Sequence, residues 1–111
     1  MGRERRRSPR VNVNLPARWE GVLTLQDADI TNLSVHGCFV LTGGTVENKE
    51  LVRVEIILPD NTEISAWGEV VDAANEIGFA VQFTSIPDDE LQRLQHFIAG
   101  LLVEGSGDAW A

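Results

Sequence analysis

Apolar and polar residues alternate with period two along most of this chain, and that pattern limits what it can fold into. Val11, Val13, Leu15, Ala17 and Trp19 fall on every second position, with Asn12, Asn14, Arg18 and Glu20 between them. Successive strand side chains point to opposite faces, so this stretch is a strand with one buried and one wet face. Pro16 has no N–H to give to a ladder, so the strand is expected to be short or open on one side there. The alternation returns at Val52, Val54, Ile56 and Leu58, at Ile64, Ala66, Gly68 and Val70, and at Phe79, Val81 and Phe83. Trp67 falls in the opposite phase and is expected to face outward, either stacking on a ligand or resting against a helix. Weaker strand signals run from Val22 to Leu33 and along Cys38-Phe39-Val40-Leu41. Turn residues separate them: Gly21, Gly43-Gly44, Pro59-Asp60-Asn61 and Ala73–Glu76.

The period changes only near the end. Leu91, Leu94, Phe97, Ile98, Leu101 and Leu102 recur at three- and four-residue steps, the apolar stripe of an amphipathic helix. Pro87 suits its first position, and Asp88, Asp89 and Glu90 suit the positive end of its dipole. Gly105-Ser106-Gly107 is expected to end it. Six short strands and one terminal helix predict an all-β fold, a small antiparallel barrel with the helix laid against it. The expected division is a flexible basic arm over residues 1–10, the barrel and helix over 11–104, and a disordered tail over 105–111 that includes Trp110.

Charge is distributed very unevenly. The first 18 residues hold six arginines and one acid, Glu4, whereas the rest hold three basic and sixteen acidic residues, for a net charge of −8. Such asymmetry marks a basic arm that meets an anion. The basic residues of the arm are all arginine, whose planar fork grips phosphate with two parallel hydrogen bonds and stacks on flat rings. The acidic remainder argues against a broad nucleic-acid surface. Apolar runs are too short to span a bilayer, and a single cysteine, Cys38, fits a reducing compartment and a core position. A cytoplasmic protein without membrane attachment is expected. No nucleophile–base pair, paired catalytic carboxylates or phosphate loop is visible in the sequence, so a binding role is expected rather than an enzyme. Two histidines and one cysteine make no metal site.

Two short motifs make the anion specific. Arg6-Arg7-Ser8-Pro9-Arg10 and Asn32-Leu33-Ser34-Val35-His36-Gly37 resemble the two signatures of PilZ domains, Arg-x-x-x-Arg and Asp/Asn-x-Ser-x-x-Gly. Their order and spacing match that family, as do Ala66-Trp67-Gly68-Glu69-Val70-Val71 and Ile77-Gly78-Phe79-Ala80-Val81-Gln82-Phe83. The resemblance covers roughly residues 5–103.

The resemblance implies a cyclic di-GMP receptor built on a six-stranded PilZ-type barrel. It implies that Arg6 and Arg10 stack on guanine and clamp phosphates, and that Asn32 and Ser34 meet the guanine edge. Gly37 would let the backbone turn or the ligand approach closely. Arg7 lies inside the first motif, and His36 and Trp67 are further candidates for ligand contact. Arg5 stands just before that motif; among PilZ domains an arginine there goes with two bound cyclic di-GMP molecules and a bulky apolar residue with one. Two molecules per chain are therefore expected, with the signal passed to a separate protein effector. The competing readings are a ligand-independent PilZ-type interaction module and a small RNA-binding barrel.

Overall fold

The computed structural model describes residues 9–22, 24–74 and 77–103. Six strands and one helix follow one another: β1 (Val11–Glu20), β2 (Leu25–Leu33), β3 (Gly37–Leu41), β4 (Leu51–Ile57), β5 (Glu63–Ala74), β6 (Gly78–Ser85) and α1 (Asp88–Val103). All pairs are antiparallel, and the sheet closes in the order β1-β2-β3-β6-β5-β4. The all-β barrel with a C-terminal helix expected from the alternation is the fold observed. The basic arm through Ser8, with Arg5, Arg6 and Arg7, and the tail from residue 104, with Trp110, lie outside the described residues.

Proline chemistry is visible at the seam that closes the barrel. β1 pairs with β2 over nearly its whole length, but with β4 only from Ala17 to Glu20, beginning just after Pro16. The strand is therefore not short; it is open on one side, where the missing donor would have faced β4.

The inward phases of the strands meet as one core. Trp19, Ile30, Leu33, Val40, Val54, Ile56, Ile64, Val70 and Phe79 are fully buried. Trp19 is the centrepiece: its ring meets Phe79 edge to face at 5.0 Å, and its Nε1–H donates to Thr42 Oγ1 at 3.2 Å. That bond satisfies the one polar atom such a buried indole carries. Thr42 opens the loop that caps this end of the barrel. Val46 plugs the loop into the core, and Lys49 N–H donates to the Val70 carbonyl at 2.6 Å.

At the other end lies α1. Leu94 and Ile98 are buried, with Phe97, Leu101 and Leu102 packed beside them, so the predicted stripe is the one that docks. Burying two such side chains contributes roughly 1.5–3 kcal/mol each. Pro87 sits one position earlier than expected, its carbonyl accepting the first helical bond from Leu91 at 2.8 Å. Glu90 does more than meet the dipole: its Oε1 accepts from Ser65 N–H at 2.6 Å and ties the helix start to β5.

Cys38 is buried on β3, and burial pushes its thiol from 9.0 up to about 12, against a smaller opposing pull from the Arg10 charge. Below the unfolded value the thiol is protonated in both states and has no effect. Between about pH 9 and pH 12 only the unfolded chain ionises, so stability falls as pH rises. We expect negligible labelling by a thiol reagent at about pH 8 without denaturant. We also expect a Cys38→Ala variant to lose less stability than the parent in urea melts between about pH 9 and 11. Rapid native labelling, or equal losses, would contradict the burial.

Candidate functional site

Sheet register brings the two sequence motifs together. Val11 pairs with Leu33 and Asn12 with Asn32, so Arg10, one residue before β1, arrives beside Asn32. Arg10 Nη1–H donates to Asn32 Oδ1 at 2.9 Å, and Asn32 Nδ2–H reaches Asn12 Oδ1 at 3.5 Å. A sheet register, rather than a flexible contact, holds the last arginine of one motif against the first residue of the other.

Asn32 reaches the outside because β2 slips its register. Ile30 points into the core, and strict alternation would send Asn32 the same way. Instead the pairing jumps at Thr31 against both neighbours, from Leu15↔Ile30 to Asn12↔Asn32 and from Ile30↔Val40 to Asn32↔Phe39. Asn32 then lies outward while Leu33 is fully buried. A second slip, between Val70 and Asp72 of β5, keeps Asp72 on the outer surface where strict alternation would turn it inward; Val71 is outward by ordinary phase and 48% exposed. Bulges of this kind commonly re-aim side chains beside functional sites.

The turn after β2 is held from within. Ser34 N–H donates to the Gly37 carbonyl at 2.9 Å, and His36 N–H donates to Ser34 Oγ at 3.1 Å. Phe83 N–H donates to the His36 carbonyl at 2.8 Å, fixing the turn to β6. Ser34 is buried, and its hydroxyl serves the turn itself; His36 is exposed at the rim. Gly37 lies opposite Gln82 in the β3–β6 ladder, where a Cβ would run into the Val81 carbonyl oxygen. Its glycine is needed for close approach of a neighbouring strand, a constraint that the motif alone does not reveal.

Together these residues line a cavity of about 440 Å³, within the range of roughly 300–1,000 Å³ usual for small-ligand clefts. Arg10, Asn32, Ser34, His36 and Gly37 form one side; Phe39, Val71, Ala80 and Gln82 form the other. The second group was not foreseen. Phe39, Gln82 and Val71 each lie outward by phase, but the strand order that brings β3, β5 and β6 together at this wall leaves no mark in the sequence. Trp67 stands apart, half-exposed on β5 between Arg53 of β4 and Ser85 of β6.

The lining carries one guanidinium and no carboxylate, in a chain of net charge −8. Two other grooves carry carboxylates beside their cations, Arg18 in one and Arg93 in the other. A groove of about 610 Å³ along Pro16, Ala28 and Leu41 is rimmed by Asp27, Asp29, Glu55 and Glu63. Another, of about 650 Å³, lies between Leu58–Asp60 and α1 and holds no motif residue. Only the motif cavity among these three joins a cation, side-chain amides and an apolar wall without a carboxylate, a set that suits an anionic ligand with flat rings.

Comparison with known proteins gives three further findings. The family model for the PilZ domain matches residues 4–100. No curated protein sequence matches the chain. Among solved structures, the Bacillus subtilis inhibitor of motility MotI/DgrA superposes with a TM-score of 0.80 at 18% identity, covering 90% of this chain and 52% of that one. The K. pneumonia MrkH–c-di-GMP complex gives 0.72 at 19% identity, covering 89% and 52%. The PilZ domain of CeSA from a cellulose-synthesizing bacterium gives 0.64 at 17% identity, covering 83% and 96%. The chain thus spans about half the length of MotI and of MrkH, and at these identities the likeness is one of fold.

The close approach at Gly37 is testable by itself. Gly37→Ala is expected to cost about 1–3 kcal/mol, the usual range for overpacking, read as a lower urea midpoint. An unchanged midpoint would mean that β3 and β6 can part without cost and that the turn is not pinned as described.

Proposed function

The chain belongs to the PilZ domain family, and from that premise we propose that it is a receptor for cyclic di-GMP that passes the signal to a separate protein. The observation that carries the reading is the Arg10–Asn32 contact, at 2.9 Å, inside a cavity without carboxylates. The fold-mate MrkH, whose structure is a complex with c-di-GMP, adds support.

In this reading Arg10 and Arg6 clamp phosphate oxygens and lie flat on guanine, as arginine can and lysine cannot. Asn32 offers its amide to the guanine edge. It is uncharged, so it lacks the charge-assisted bonds that an aspartate would make there. Ser34 and Gly37 shape the floor, and His36 adds a polar group at the rim. Arg5 and Arg7 supply charge for a second, stacked ligand molecule. Ligand phosphates cancel the mutual repulsion of the arginines and draw the arm over Asn32–Gly37, changing the surface that a partner meets. The role is that of a binding module rather than an enzyme. The chain carries no helix among its described residues that is long and apolar enough to cross a membrane.

Calorimetric titration with cyclic di-GMP tests the reading directly; saturable heat is expected, with little response to GTP or a short RNA. Arg10→Ala should weaken binding by about 1.5–3 kcal/mol, the range for hydrogen bonds to charged groups, with an unchanged melting temperature in the absence of ligand. No heat at tens of micromolar ligand would refute the assignment. Early melting of Arg10→Ala would make that arginine structural.

Stoichiometry tests Arg5 separately. A stacked pair crowds four phosphates and four guanines, which calls for more cationic, flat groups than one molecule does. Saturation at two equivalents is expected, falling to one in Arg5→Leu while binding persists. Saturation of the unaltered protein at one equivalent would remove the role given to Arg5 and leave the receptor assignment standing.

A further inference from the structure

The outer face of β5 carries an arrangement that the ligand site does not use. Glu69 is half-buried there, and Leu51 of β4 lies directly across from it. Trp67 and Val71 flank it two residues away on the same strand, and the three apolar side chains are 60%, 49% and 48% exposed for Leu51, Trp67 and Val71. Among the described residues Glu69 forms no ion pair: Arg53 holds Glu55 at 2.6 Å and Glu20 at 3.6 Å, and Lys49, whose backbone N–H donates to the Val70 carbonyl, makes none with it. A half-buried carboxylate ringed by exposed apolar groups lacks a cation. An indole two positions away on the same face offers that cation a flat surface as well.

The position of this face says which cation. Gln82 is the register partner of Glu69 and also lines the cavity that holds Arg10, as does Val71. Glu69 is thus one strand away from that cavity, about 4.8 Å in the direction of the ladder. Arg3, Arg5, Arg6 and Arg7 precede Arg10 by three to seven residues. Extended chain covers about 3.3 Å per residue, so their backbone reaches roughly 10–23 Å from it. Arginine can pair a carboxylate with its fork while its plane lies on an indole, which suits Glu69 and Trp67 together.

We propose that the Trp67–Glu69 face of β5 is the resting dock of the arginine arm in the ligand-free protein. The arm then rests one strand away from the ligand cavity, and its arginines must leave Glu69 before they can meet a ligand. Dock and ligand compete for the same arginines, and the apparent affinity is lowered by the fraction of protein whose arm is docked. Only this competition rests on the cyclic di-GMP reading; the dock itself does not.

Acrylamide quenching of ligand-free protein tests the dock. In a Trp110→Phe background the two remaining indoles are Trp67 and the buried Trp19. Quenching should be weak at low salt. It should rise about twofold or more in Glu69→Gln, in a variant with Arg3, Arg5, Arg6 and Arg7 changed to glutamine, and at about 0.5 M salt, where exposed charges are screened. Equal quenching in all four samples would overturn the proposal. Cyclic di-GMP titration then reads the competition. Glu69→Gln and Trp67→Leu should each tighten binding about three- to tenfold, as expected for a docked fraction of about two-thirds to nine-tenths. Weaker binding in Trp67→Leu would assign the indole to the ligand and overturn the dock. The predicted quenching changes without any cyclic di-GMP binding would uphold the dock and defeat the ligand reading instead.

Discussion

The candidate site depends on one slip of register at Thr31. Without it, Asn32 would share the inward phase of Ile30 and bury an amide in the core, an arrangement costing roughly 1–3 kcal/mol unless hydrogen-bonded. With it, Asn32 meets Arg10 at 2.9 Å on the outside while Leu33, the next residue, stays fully buried. The turn that follows inherits this geometry. Leu33 anchors it below, Ser34 and His36 brace it internally, and Phe83 N–H ties it to β6. Gly37 lets β6 come close enough for that tie.

Most of the fold could be read from phase alone. β1, β4, β5 and the stripe of α1 follow from alternation and helical spacing, because each element has one wet and one dry face and so leaves a period in the sequence. β2 was a weak signal for a physical reason: the slip at Thr31 breaks the period, and Leu25 and the carboxylates of Asp27 and Asp29 face solvent. The loop from Thr42 to Glu50 has no period at all. Its placement depends on Val46 entering the core and on the Trp19–Thr42 bond, contacts between residues far apart in the chain.

The site was legible on one side only. Arg10, Asn32, Ser34, His36 and Gly37 stand in two motifs whose residue types carry the chemistry, and the cavity does gather them. The opposite wall is contributed by Phe39, Val71, Ala80 and Gln82, ordinary strand residues whose meeting depends on strand order. Gly37 shows that a motif residue can be recognised for one reason and required for another, since its lack of a side chain serves the β3–β6 contact. Arg5, Arg6 and Arg7 lie outside the described residues, and their part is proposed from chemistry.

Charge ties fold to function. A chain with an acidic body would repel a phosphate ligand over most of its surface. The barrel answers with a carboxylate-free cavity at the point where β1 begins and the basic arm joins it. Backbone amide shifts measured during titration with cyclic di-GMP test this most directly, because they report position as well as binding. Shifts should concentrate at Arg10, Asn32–Gly37, Phe39, Val71 and Gln82 and leave Asp27, Asp29 and α1 nearly unmoved. Saturating shifts centred on the Pro16–Asp29 groove or on the groove beside Leu58 and Phe97 would contradict the account.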